Sequence, residues 1–154
     1  MDIIKYRDKV GSINSVYPPT AYLTNGPWIY MVPQFRPESV LMLGYAGGTV
    51  AGLIRLIYGE IPITAVDIKP CENRYNVDLI QADAKEYVKF CRKFDVVIVD
   101  LFKDGTCDVP DFVLTDDFVS DLKKICNYII LNGLHVTDFH AYKNLHRYGS
   151  NKPN

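Results

Sequence analysis

Four consecutive apolar residues pass directly into a glycine-rich turn in the run Val40-Leu41-Met42-Leu43-Gly44-Tyr45-Ala46-Gly47-Gly48-Thr49. A short apolar run without polar alternation suits a strand buried on both faces, the mark of a parallel sheet. The next segment, Thr49–Tyr58, carries Val50, Leu53, Ile54 and Ile57 on one helical stripe and stops at Gly59, with Pro62 soon after. Strand, glycine turn and helix in immediate succession open a βαβ unit. Glycines at such a turn let the backbone bend sharply and approach a ligand, and the following helix offers its N-terminal N–H groups. A tight turn with packing duties alone is the competing reading.

The rest of the chain repeats the alternation. Apolar runs at 61–67, 77–81, 94–100 and 128–131 read as strands, and the periodic segments 84–93 and 116–126 as helices. This pattern predicts a single α/β domain over 1–154, built on a mostly parallel sheet with helices on both faces. Within it, 39–134 forms the core and 1–38 an extension, where segments 21–23 and 28–32 around Asn25-Gly26 suggest a hairpin. Residues 135–154 read as a short helix and tail.

Composition excludes several classes. Seventeen basic against eighteen acidic side chains leave a net charge of −1, so no global field draws the chain to nucleic acid or acidic membranes. Cys71, Cys91, Cys107 and Cys126 form no CxxC pair, and no histidine lies at zinc-ligand spacing, so no metal site is expected. Without an apolar signal segment or membrane span, a cytoplasmic protein with reduced thiols is expected.

Acidic residues close the apolar runs. Asp67 ends the second, about 20 residues past the glycine turn, where a carboxylate accepts ribose hydroxyls in nucleotide-binding sheets. Asp83 follows the third run and reads equally as a helix cap. Asp100 closes Val96-Val97-Ile98-Val99, beside the switch point where open α/β sheets hold their ligands. Asp104, Asp108 and Asp111 follow as an acidic rim or a solvated loop.

These segments together resemble the successive cofactor motifs of spermidine synthase-like domains within the class I S-adenosylmethionine-dependent methyltransferases. The resemblance rests on residues 40–49, Ile63-Thr64-Ala65-Val66-Asp67-Ile68-Lys69-Pro70, Gln81-Ala82-Asp83-Ala84 and Phe94-Asp95-Val96-Val97-Ile98-Val99-Asp100, and runs from about Arg36 to Leu134. It implies a Rossmann-like methyltransferase fold, truncated after the fifth strand, with S-adenosylmethionine or decarboxylated S-adenosylmethionine over the strand ends. Gly44, Ala46 and Gly48 would bracket the methionine portion, Asp67 the ribose, and Asp83 with Ala84 the adenine. Tyr45, Gly47, Ile68 and Leu101 complete the implied cofactor contacts. Asp100 matches the family's aspartate at the reacting group, with Asp104 assisting.

The departures are specific. Ala46 stands where the family carries glycine, which requires a negative φ there. Asp100-Leu101-Phe102-Lys103-Asp104-Gly105 replaces the spermidine synthase Asp-Ser-Ser-Asp-Pro, and no Asn/Asp-Pro-Pro-Tyr is present. The resemblance thus implies a methyltransferase of unassigned acceptor. An aminopropyltransferase or a non-catalytic nucleotide-binding module are the alternatives, and a dinucleotide reductase is disfavoured by Thr49 in place of a third glycine. Only about twenty residues follow Leu134, so pairing of two copies along the last strand is a further expectation.

Overall fold

The computed structural model describes residues 5–7, 13–15, 20, 23, 28–103, 109–132 and 142. Two short antiparallel strands, β1 (Lys5–Arg7) and β2 (Ile13–Ser15), pair with Lys5 opposite Ser15. The remaining elements are β3 (Val40–Leu43), α1 (Thr49–Tyr58), β4 (Ile63–Asp67), β5 (Asp78–Gln81), α2 (Ala84–Tyr87), β6 (Phe94–Val99), α3 (Asp116–Ile125) and β7 (Cys126–Leu131). Five strands form one sheet in the order β5-β4-β3-β6-β7, with every neighbouring pair parallel. Successive connections run outward from β3 to one side and then return to build the other. The switch therefore falls between β3 and β6.

Alternate residues of each strand feed two separate cores. Val40, Met42, Ile63, Ala65, Val96 and Ile98 pack with Val50, Leu53 and Ile54 of α1 on one face. Leu41, Leu43, Val66, Val97 and Val99 pack on the other with Phe118, Val119, Leu122 and Ile125 of α3. Both faces being covered, the central strands have no polar alternation to show. Each fully buried aliphatic side chain contributes about 1.5–3 kcal/mol. Helix α3 is capped by Thr115, whose Oγ1 accepts from Phe118 N at 3.3 Å, and carries acids in its first turn and lysines in its last. At the opposite sheet edge from these strand ends, Asp95 accepts from Glu38 N at 2.9 Å and from Asn127 Nδ2 at 3.4 Å, tying the starts of three strands together.

Two expectations change. The segment 28–32 is not a strand: Trp28–Met31 forms a 3-10 turn, closed by Val32 N to Ile29 O at 3.2 Å. Its side chains meet the first core, which requires a threefold rather than a twofold repeat, and Asn25-Gly26 lies outside the described residues. The helix expected over 84–93 is one turn, Ala84–Tyr87, followed by i→i+3 bonds from Lys89 and Phe90. Beyond Val88 the segment has little to bury, and Phe90 is 89% exposed. No strand follows β7 among the described residues, and the tail expected to form a short helix lies largely outside them. Among the described residues no helix is long and apolar enough to cross a membrane.

The β4-to-β5 crossover, residues 68–77, contains no helix. Its carbonyls are satisfied from outside. The Arg55 guanidinium, projecting from α1, donates to Tyr75 O and Asn76 O of this loop, each at 3.0 Å, and to Gly59 O and Ile61 O before β4. Asn73 brackets Val77, accepting from its N–H at 3.1 Å and donating to its carbonyl at 2.7 Å. One planar donor set thus replaces a helix's internal bonds. Arg55→Met should destabilise the chain by about 2–3 kcal/mol in urea denaturation, because several half-buried carbonyls lose their partner. Arg55→Lys should recover less than half, since an ammonium cannot reproduce the fork.

Candidate functional site

Strand register decides what meets at the carboxyl edge of the sheet. Leu43 is level with Val66 on one side and Val99 on the other, and Val99 is level with Leu131. The ladder continues one step past the strands: Gly44 N donates to Val66 O (2.8 Å), Asp100 N to Leu43 O (2.9 Å) and Asn132 N to Val99 O (2.9 Å). Gly44, Asp67, Asp100 and Asn132 therefore stand in a row above the switch point.

The glycine turn is shaped by its own chain. A Cβ on Gly44 (φ +95°) would lie 2.1 Å from the Asp100 carbonyl oxygen, and one on Gly48 (φ +82°) 2.6 Å from the Tyr45 hydroxyl. The close approach that these two glycines permit is thus to Asp100 and to Tyr45, the packing role that competed with ligand contact. Tyr45 is 3% exposed, and its hydroxyl is buried with no hydrogen bond among the described residues. The backbone of Arg74 and Tyr75 lies close to it, and burial raises the phenol above its ordinary range. Ala46 corrects a sequence expectation: its φ is +52°, not negative. The left-handed conformation is held because Tyr45 N and Ala46 N both donate to Asp67 Oδ2 at 3.0 Å.

Asp67 therefore meets the glycine turn directly. Its Oδ1 accepts from Lys69 N at 3.1 Å. Carboxylate oxygens carry two acceptor positions each, so these three bonds fill Oδ2 and leave one position, on Oδ1, for a ligand's hydroxyl. Asp100 behaves differently. It keeps part of its surface in contact with solvent but is densely surrounded by protein. That desolvation, opposed by the Asn132 hydrogen bond and reinforced by the nearby Asp67 charge, raises its carboxyl to about 6.

The other expected residues separate. Asp83 caps α2, its Oδ1 accepting from Lys85 N at 3.0 Å, and Ala84 is buried in the second core at 6% exposure. Leu101 packs beside Gly44, with a methyl 3.4 Å from where a Cβ would stand. Ile68 is 64% exposed directly after Asp67, and Phe102 is 38% exposed after Leu101, two large apolar side chains left at the rim. Gly47 is half-buried within the turn. Asp104 and Asp108 lie outside the described residues. Sequence reasoning overlooked Asn132, although a polar residue ending the last apolar run was a visible signal, and it overlooked Tyr75 against Gly48, which only the crossover's path reveals.

A parallel sheet in this order, wound on both faces with a glycine turn at the switch, defines a Rossmann-like α/β domain. In sequence the chain is similar to a polyamine aminopropyltransferase from Vibrio vulnificus, at 24% identity over 105 residues, 58% of this chain and 34% of the relative. The chain thus spans about a third of the length of the curated relative it matches. No sequence-family profile matches it. Among solved structures, human Methyltransferase-like protein 13 in complex with SAH aligns with a TM-score of 0.49 at 20% identity, over 72% of this chain and 55% of that one. Shikimate Dehydrogenase 1 from Peptoclostridium difficile aligns with a TM-score of 0.45 at 13% identity, over 74% and 41%.

Two measurements check the site's energetics. Ala46→Gly should stabilise the chain by up to about 1 kcal/mol in thermal denaturation, relieving a left-handed alanine, whereas Gly44→Ala should unfold it. Asp100 carries a folded-state value of about 6 against an ordinary 3.8. The folded chain holds this proton more tightly, so stability is full below about pH 4 and falls as pH rises to about 6. Asp100→Asn should therefore match the wild type at pH 4 and exceed it by as much as about 3 kcal/mol above pH 6.5, measured by urea titration at each pH.

Proposed function

We propose that the chain binds S-adenosylmethionine across the carboxyl edge between β4, β3 and β6 and transfers its methyl group to an acceptor presented beside Asp100. The observation that carries this reading is the row itself: register holds a glycine turn, Asp67 and Asp100 level at one switch point, with Ile68 and Phe102 exposed on either side. The donor set fits the cofactor. Asp67 retains one acceptor position, on Oδ1, for a ribose hydroxyl, Ile68 offers an apolar face for the adenine, and two carboxylates suit a positively charged sulfonium. Asp83 and Ala84 would border the adenine, Tyr45 and Gly47 would shape the turn beneath the methionine portion, and Asp104 would assist.

When bound, the cofactor supplies an electrophilic carbon and a neutral thioether leaving group. The residues of this chain would hold the acceptor in line and receive its proton. With a carboxyl near 6, Asp100 is mostly ionised at neutral pH yet able to accept a proton from a hydroxyl or ammonium as the new bond forms. The similarity to a polyamine aminopropyltransferase favours a second reading, in which decarboxylated S-adenosylmethionine donates an aminopropyl group to an amine. A binding module without turnover uses the same pocket and no acceptor.

Thermal-shift measurements with S-adenosylmethionine, its decarboxylated form, S-adenosylhomocysteine and nicotinamide dinucleotides test the pocket. Ligand at a hundredfold excess over its Kd stabilises by about 2.7 kcal/mol, a shift of several degrees for a domain of this size. The shift is expected with adenosyl sulfonium compounds and lost in Asp67→Ala. Stabilisation by nicotinamide dinucleotides alone would refute the reading. Labelled cofactors incubated with putrescine then separate methyl from aminopropyl transfer.

A further inference from the structure

The geometry points to Asn132 as the positioning residue of the site: its side-chain amide fixes one oxygen of Asp100 and leaves the other to the amine or hydroxyl of a bound substrate. This rests on the functional reading above and adds to it a residue from the far strand. Asn132 Nδ2 donates to Asp100 Oδ1 at 3.0 Å, while Asn132 N donates to Val99 O at 2.9 Å. The main-chain bond fixes where the residue sits and the side-chain bond fixes what it holds. Among the described residues Asp100 Oδ1 has no other side-chain donor, and no side-chain hydrogen bond involves Oδ2. A carboxylate anchored through a single oxygen keeps one rotamer and presents the second in a constant direction.

The surroundings explain why an anchor is needed. Asp67, at the end of β4, repels the Asp100 charge, and the β3 turn contributes no charged side chain beside it. On the segment after Asp100, Lys103 is engaged with Asp111 at 3.1 Å. The Asn132 amide is thus the named side-chain group that favours the ionised form against burial and Asp67. An amide does so without a charge of its own, so it does not repel a cationic substrate.

The experiment follows the Asp100 carboxyl by 13C NMR in the ligand-free chain, for wild type, Asn132→Ala and Asn132→Asp. The wild-type midpoint is expected near 6. Asn132→Ala should raise it by about one pH unit, and Asn132→Asp, of equal size, should give two apparent midpoints, the upper above about 7. Both variants keep the main-chain bond to Val99. S-adenosylmethionine affinity, measured by calorimetry from pH 5 to 8, should rise with Asp100 ionisation in the wild type and follow the displaced midpoint in Asn132→Ala. Midpoints unmoved in both variants, or a loss of stability with an unchanged pH profile, would overturn the assignment and leave Asn132 a packing residue. Should the midpoints move while the wild type binds no S-adenosylmethionine, the pairing of Asn132 with Asp100 stands and the cofactor reading fails.

Discussion

The site depends on one approach between backbones. Gly44 and Asp100 leave neighbouring strands at the same level, so close that any side chain on residue 44 would collide with the Asp100 carbonyl. One ladder bond past the strand ends, from Asp100 N to Leu43 O, locks this contact, while Gly44 N, bonded to Val66 O, ties the turn to β4. The polar residues around it are then placed by register: Asp67 one strand away on the left, Asn132 one strand away on the right. Because each central strand is buried on both faces, slipping by one residue would exchange the two cores, at a cost far above the stability of a domain.

Within that frame the acidic residues divide the labour. Asp67 is consumed in part by the turn, its Oδ2 serving two backbone donors that keep Ala46 in a left-handed conformation. Asp100 is held by a single amide, and burial raises its carboxyl to about 6. Two carboxylates one strand apart thus sit in different surroundings, one bonded to the backbone of the turn and one desolvated beside an amide.

The sheet was legible because its signals were redundant. Residues 40–43 and 96–99 are apolar without interruption, and Thr49–Tyr58 carries a helical stripe with a glycine stop, so each strand and α1 fall close to where the pattern puts them. The meeting of Gly44, Asp67 and Asp100 followed from topology alone. What escaped was whatever depends on a partner distant in sequence. The Trp28–Met31 turn resembles a strand until one knows that it packs on α1, and the shortness of α2 reflects an unoccupied surface beyond Val88. Ala46 takes a positive φ because Asp67, twenty-one residues later, holds its N–H. Asn132 gains meaning only from the carboxylate on the next strand.

The helix-free crossover between β4 and β5 has a mechanical consequence. Most parallel crossovers brace an edge strand with a cylinder of internally bonded backbone, whereas here one guanidinium anchors the connection. The outermost strand is short and partly exposed, so its amides should exchange with solvent earlier than those of β3 and β6. Tyr75 of the same connection lies 3.0 Å from where a Cβ on Gly48 would stand, so this weakly braced border of the sheet is in direct contact with the glycine turn.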